Sequence, residues 1–204
     1  MLGAWRNPVL IVGTDPVAVE RLLAAGQFRC PGCSGVLAPW GHARQRKVRG
    51  LGGVEKVRPR RAWCSGAGGC GVTHVLLPAV MLARRGDGVE VIGAALTAKI
   101  QGSGHRTIAR DLDRTETMVR RWLRRFARLA PVWRRVFTVL FHDLDPLAAP
   151  VAPAGSVIAD VVSVIALAAA GAVRRVGPRP VWEFASGASG GLLLGPVAAV
   201  VARW

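Results

Sequence analysis

The chain has 204 residues and a mass of 21.6 kDa, which at roughly 100 to 200 residues per domain excludes a large multidomain machine. Hydrophobic residues at 51% against 20% charged exclude a disordered chain, because that balance can bury a core. The 28 Lys and Arg against 12 Asp and Glu leave a formal charge of +16, and such an excess points to a polyanionic partner.

Met1 to Arg6 carries one positive side chain, and the apolar run Val9 to Val12 is far shorter than a signal-peptide core of about 7 to 15 residues. A cytoplasmic, nucleoid-associated protein with reduced thiols is therefore expected. Four cysteines in that setting argue for metal or catalysis before disulfides.

In chain order, residues 1–28 read as a short strand, Val9 to Val12, and a helix. Thr14 or Asp15 opens the helix, Pro16 sits in its first turn, and it closes near Gly26. Residues 29–78 turn Gly-rich and Arg-rich, with short strands between two cysteine pairs and no helical period. Cys30-Pro31-Gly32-Cys33 is a metal knuckle: two thiolates two residues apart, with Gly32 allowing the turn that aims both sulfurs at one point. Cys64 and Cys70 form a looser second pair, and His74 lies four positions beyond Cys70. An all-cysteine structural zinc site, Cys30, Cys33, Cys64 and Cys70, is the leading expectation. A set with His74 in place of Cys64 is the alternative. The module holds few large apolar groups, so metal binding is expected to supply much of its folding free energy. Arg44, Arg46, Lys47, Arg49, Lys56, Arg58, Arg60 and Arg61 stand there against one acid, Glu55, a density suited to secondary contacts with a nucleic-acid backbone.

Residues 86–144 read as a helical domain. Val89, Ile92, Leu96 and Ile100 recur at helical spacing, and Gly102-Ser103-Gly104 ends that helix. A second helix is predicted from His105 to Leu112, a third from Thr115 to Arg128 and a fourth from Pro131 to Leu144. Ile108, Ala109 and Leu112 form one apolar stripe, and Val119, Trp122, Leu123 and Phe126 form another. Two short-linked helices, with Thr115 as N-cap of the later one, describe a helix-turn-helix. If the second stripe faces inward, Glu116, Thr117, Arg120, Arg121 and Arg124 face outward. Thr117, Arg120 and Arg121 are then candidates for reading base edges in the major groove. Arg124, Arg125 and Arg128 suit phosphates, and Arg106 and Arg110 on the preceding helix would brace the backbone. Trp122 is expected in the core.

Residues 145–155, with Pro146, Pro150 and Pro153, read as a linker. The block 156–204 is apolar and predicted helical. Its uncharged run, Val161 to Val173, is 13 residues against about 20 needed to span a bilayer, so burial or self-association is expected there and a membrane span is not.

The knuckle Cys30 to Cys33, Pro39-Trp40-Gly41-His42, Arg58-Pro59-Arg60-Arg61, Thr73-His74-Val75-Leu76-Leu77-Pro78 and the helix pair from Gly104 to Phe126 resemble an actinobacterial family related to insertion-sequence transposases. The resemblance implies a zinc ribbon followed by DNA-binding helices. Catalysis of the usual transposase kind needs carboxylates gathered around two metal ions, yet after Leu144 the only acids are Asp145, Asp160 and Glu183, so no enzyme is expected.

The sequence thus predicts an α+β fold, mainly α. It predicts a non-catalytic, sequence-specific binder of double-stranded DNA, regulatory or transposase-related. The alternatives are an orphan N-terminal part of a transposase, with a transposase as partner, and a zinc-stabilised protein-interaction or membrane-associated module working through its C-terminal block.

Overall fold

The computed structural model of the protein describes residues 9–65 and 68–201; the reading of Met1 to Arg6 lies outside them. The fold is α+β, with a small sheet in the N-terminal part and helices after it.

Strand β1 (Val9–Val12) leads into helix α1 (Pro16–Ala24). Asp15 caps that helix by accepting from the Val17 amide at 2.9 Å, and Pro16 occupies the first turn, where no amide hydrogen is needed. β2 (Leu37–His42), β5 (Arg60–Cys64) and β6 (Thr73–Pro78) join β1 in a four-stranded sheet ordered β1-β6-β5-β2. β1 runs parallel to β6, and β5 runs antiparallel to both of its neighbours. The N-terminal strand is therefore an edge of the sheet that carries the cysteines.

Alternation along the strands gives the sheet two faces. Leu37, Ala62, Cys64, His74 and Leu76 point to one and are buried with Val19 and Leu23 of α1. On the other face, Val9, Ile11 and Leu77 pack against Val48 and Val57. These last two residues belong to a separate hairpin of β3 (Arg46–Arg49) and β4 (Val54–Val57).

The helices are α2 (Val89–Ile100), α3 (His105–Asp111), α4 (Glu116–Leu144), α5 (Val157–Val176), α6 (Val181–Ala188) and α7 (Val197–Val201). Where the sequence predicts two helices meeting at Pro131, there is one of 29 residues with Pro131 inside it. A proline in a helix interior costs about 3 kcal/mol. Here its ring lies on the exposed side, while the buried positions Phe126, Ala130, Trp133, Phe137 and Phe141 stay in phase across it. Burial of those aromatics on a continuous stripe, at roughly 1.5 to 3 kcal/mol for a large side chain, offsets the lost bond.

α5 lies alongside α4 in the same direction, since Arg134 pairs with Asp160 at 3.8 Å and Asp145 with Arg174 at 2.7 Å. The connector over 145–156 is what brings the chain back to start a parallel helix. α5 spans 20 residues, longer than the 13-residue run suggested, because it extends past that run at both ends. It is long and apolar enough by length and composition to cross a membrane, and half of its most apolar window is buried inside the protein. The C-terminal block is continuous with the helical core: Trp133 donates through Nε1 to the Leu193 carbonyl at 3.1 Å, and Phe137 stacks between Trp133 and Phe184 at 6.2 and 6.3 Å.

Gly93 on α2 marks the tightest contact. A Cβ there would lie 2.2 Å from the Trp182 ring of α6, well inside van der Waals distance. Gly93→Ala is expected to lower stability by at least the ~1 to 3 kcal/mol of an overpacked core, read as a fall in the urea midpoint.

Candidate metal centre and nucleic-acid interface

The four cysteine sulfurs lie within 4.8 Å of one another. Cys30 and Cys33 come from the turn before β2, Cys64 ends β5, and Cys70 precedes β6, so three strands converge on the cluster. Cys30 Sγ is 3.6 Å from Cys70 Sγ, and Cys33 Sγ is 3.4 Å from Cys64 Sγ. Sulfurs bonded at about 2.3 Å to one tetrahedral ion stand about 3.8 Å apart, so the donor set fits a metal with little adjustment. The cluster can hold a metal ion.

The local chain explains this convergence. Ser34 donates its amide to the Cys30 carbonyl and Cys30 its amide to the Gly35 carbonyl, each at 2.8 Å, which closes the knuckle. A Cβ on Gly35 would stand 2.9 Å from Cys64 Sγ, so only glycine lets this loop cross the sulfurs. The Gly35 amide, together with the neighbouring thiols, pulls Cys33 down to about 6, whereas burial pushes the Cys64 thiol up to about 12. Of the two, Cys33 is thus the more readily deprotonated and Cys64 the one that holds its proton more firmly. Loading a metal must displace the Cys64 proton, so affinity rises with pH.

His74, the alternative ligand, is 2% exposed and sits beside the cluster. Its Nε2 is 3.3 Å from Cys30 Sγ, and burial lowers its pKa, which favours the neutral ring. A neutral His74 with its proton on Nε2 donates to the Cys30 sulfur and steadies it from outside the four-sulfur group.

The predicted DNA-contacting residues divide into two groups. Thr117, Arg120, Arg121, Arg124 and Arg128 are exposed along one face of α4, while Val119, Trp122, Leu123 and Phe126 are buried on the other. Thr115 caps the helix by accepting from the Met118 amide at 3.3 Å. Glu116 faces His105 at 3.9 Å and Arg106 at 3.5 Å across the turn, and Arg110 is exposed beside Asp111. In the hairpin region Arg44, Arg46, Lys47 and Arg58 are exposed.

The others make internal contacts. Arg60 pairs with Glu20 of α1 at 2.6 Å, Arg61 donates to Thr73 Oγ1 at 2.9 Å, and Arg125 donates to the Leu194 carbonyl at 3.5 Å. Arg49 donates to both oxygens of Asp87, at 2.9 and 2.8 Å. Arg114 reaches the same carboxylate at 2.8 Å and is 11% exposed. The sequence reading did not single out Asp87 and Arg114. A lone acid after Arg84-Arg85 was the available signal, but its burial depends on a hairpin distant in sequence.

This triad ties the β3–β4 hairpin to the α3–α4 turn, and a cleft of about 490 Å³ lies between them, lined by residues including Leu51, Val54, Asp113 and Thr115. Next to it, burial and then the charges of Arg125 and Arg121 pull Arg85 below the usual arginine range, with Asp87 opposing. The near end of α4 is thus a region of crowded positive charge.

No family model, curated protein or solved structure matches the chain.

Proposed function

We propose that this protein is a non-catalytic, sequence-specific binder of double-stranded DNA, with zinc as a structural clamp. The observation that carries the reading is the row Thr117, Arg120, Arg121, Arg124 and Arg128, which is exposed along α4 while the opposite stripe is buried. A guanidinium row on a supported helix, entered through a short turn from α3, suits a helix-turn-helix with α4 in the major groove. The exposed bases of the neighbouring hairpin extend the positive surface toward the phosphates.

Zinc fits the four-thiolate set because tetrahedral sulfur coordination favours it, and a site closed by four protein ligands suits a structural ion. In this reading Cys30, Cys33, Cys64 and Cys70 hold the ion in a zinc ribbon. A regulatory role and a transposase-related one share this chemistry. A transposase catalytic frame adjoining the gene would favour the second.

Affinity for duplex DNA is expected to fall with salt at a log-log slope of about −0.9 per phosphate contacted. Arg121→Ala is expected to cost ~1 to 3 kcal/mol on the preferred site and much less on random duplex. Fluorescence anisotropy on both duplexes checks this. Equal losses would make Arg121 a backbone contact, and no binding at low salt would end the reading.

A further inference from the structure

Two tryptophans stand on the sheet face that α1 does not cover. Trp40 on β2 is 55% exposed and Trp63 on β5 is 37% exposed, with ring centroids 5.6 Å apart and planes tilted by 44°. Large aromatics are mostly buried in folded proteins, and here the core claims Trp122, Trp133 and Trp182. Among the described residues, the hairpin that covers Val9, Ile11 and Leu77 leaves the β5–β2 side of the same face open.

Trp63 is held in place. Its Nε1 donates to the Gly71 carbonyl at 3.1 Å, so its polar edge is satisfied and its ring is pinned beside the cysteine turn. Across the strands Trp63 faces Thr73, and two residues back Arg61 lies on the same face opposite Val75. Arg61 donates to Thr73 Oγ1, while its Nε is buried without a hydrogen-bond partner among the described residues. Arg44, just past β2, and Arg58, just before β5, are exposed at the end of this strand pair. β2, β5 and β6 contain no acidic residue.

We propose that Trp40 and Trp63 form a stacking platform for unpaired bases of a single-stranded nucleic acid, whose phosphates run past Arg58 and Arg44. Rings supply stacking that tolerates any base, and flanking guanidinium groups track the backbone. Stacking selects the single strand, because bases in a duplex are already stacked on one another and their faces are closed to a side chain. The charge pattern selects a nucleic acid over an apolar protein partner. The site is separate from the α4 arginine row, so it goes beyond the duplex-binding reading and stands or falls apart from it.

The test uses the zinc-loaded full chain and a labelled oligothymidylate of about 20 nucleotides, enough to cover one such site, beside a duplex control. The expected result is binding at low salt, weakened roughly 5- to 150-fold by Trp40→Ala. Trp40→Phe should retain most of the affinity, and duplex affinity should be unchanged in both variants. Trp40 is the residue of choice because it is the more exposed of the pair; metal content and circular dichroism of the variant verify that the sheet survives. Arg121→Ala should show the reverse pattern, losing affinity for the preferred duplex site and sparing the single strand. A wild-type chain that ignores the oligothymidylate overturns the proposal, as it would if the face served a protein instead. So does a Trp40→Ala chain that binds it unchanged, or one that loses duplex and single strand alike.

Discussion

Cys64→Ser is expected to abolish stoichiometric zinc binding and unfold the four-stranded sheet, while the helical half of the chain stays folded. The reason lies in how the two cores are built. The buried face of the sheet rests on Val12, Val19, Leu23, Leu37, Ala62 and Leu76, together with Cys30 and Cys64 themselves, so two of its buried groups are also proposed ligands. Structural zinc contributes apparent binding free energies of about 10 to 16 kcal/mol in small zinc modules at neutral pH, as large as the roughly 5 to 15 kcal/mol that stabilises a whole domain. Serine at position 64 removes a thiolate and leaves a hydroxyl at a site that is 1% exposed. The helical core runs from Leu82 through Trp133 and Phe137 to Val200 and contains no cysteine. Native mass spectrometry should show one zinc per wild-type chain and none in the variant. Hydrogen exchange should lose protection in β5 and β6 and keep it in α4. A variant that retains zinc with protected strands would show that the cluster is not what holds the sheet. For the wild type, chelator sensitivity should increase as pH falls, because protons compete with the ion for the thiolates.

Asp87→Asn is expected to destabilise the protein by ~3 to 5 kcal/mol, the usual cost of removing one partner from a buried ion pair. Asp87 has 6% of its side chain exposed and receives three charge-assisted bonds from Arg49 and Arg114. Arg114 cannot turn to solvent to recover the lost charge, since it also donates to the carbonyls of Leu112 and Asp113. Asparagine keeps the shape but leaves two guanidinium groups facing each other without a counter-charge. The β3–β4 hairpin should loosen first, because Arg49 is its main polar tie to the α3–α4 turn. A urea titration measures the loss, and hydrogen exchange of β3 and β4 locates it. A midpoint within error of the wild type would mean the triad contributes nothing net, as happens when desolvation cancels attraction. Losing the tie should also weaken duplex binding, if the hairpin and α4 act on one DNA.

Much of this molecule was legible in the residues. Asp15-Pro16 announces α1, Thr115 announces α4, and the apolar stripe of α4 separates buried from exposed positions correctly, with Trp122 inside. The four cysteines meet although 30 residues separate the two pairs. Pro131 is not a helix boundary, because the apolar period passes through it unbroken in the phase of Phe126, Ala130, Trp133 and Phe137. Charge counting could not tell Arg60, Arg61 and Arg125, which bind inside the protein, from Arg120 and Arg124, which face solvent.

Helix caps, helix faces and the tight Cys30–Cys33 turn are encoded within a few residues, because spacing, turn chemistry and the 3.6-residue period are local properties. They are therefore readable from the chain alone. Three features depend on which distant segments come to lie together: the parallel pairing of β1 with β6, the joining of Arg49 and Arg114 on Asp87, and the exposure of Trp40 beside Trp63. Whether a side chain is buried, paired or left open to a partner is set by what packs against it, so only the tertiary structure decides it.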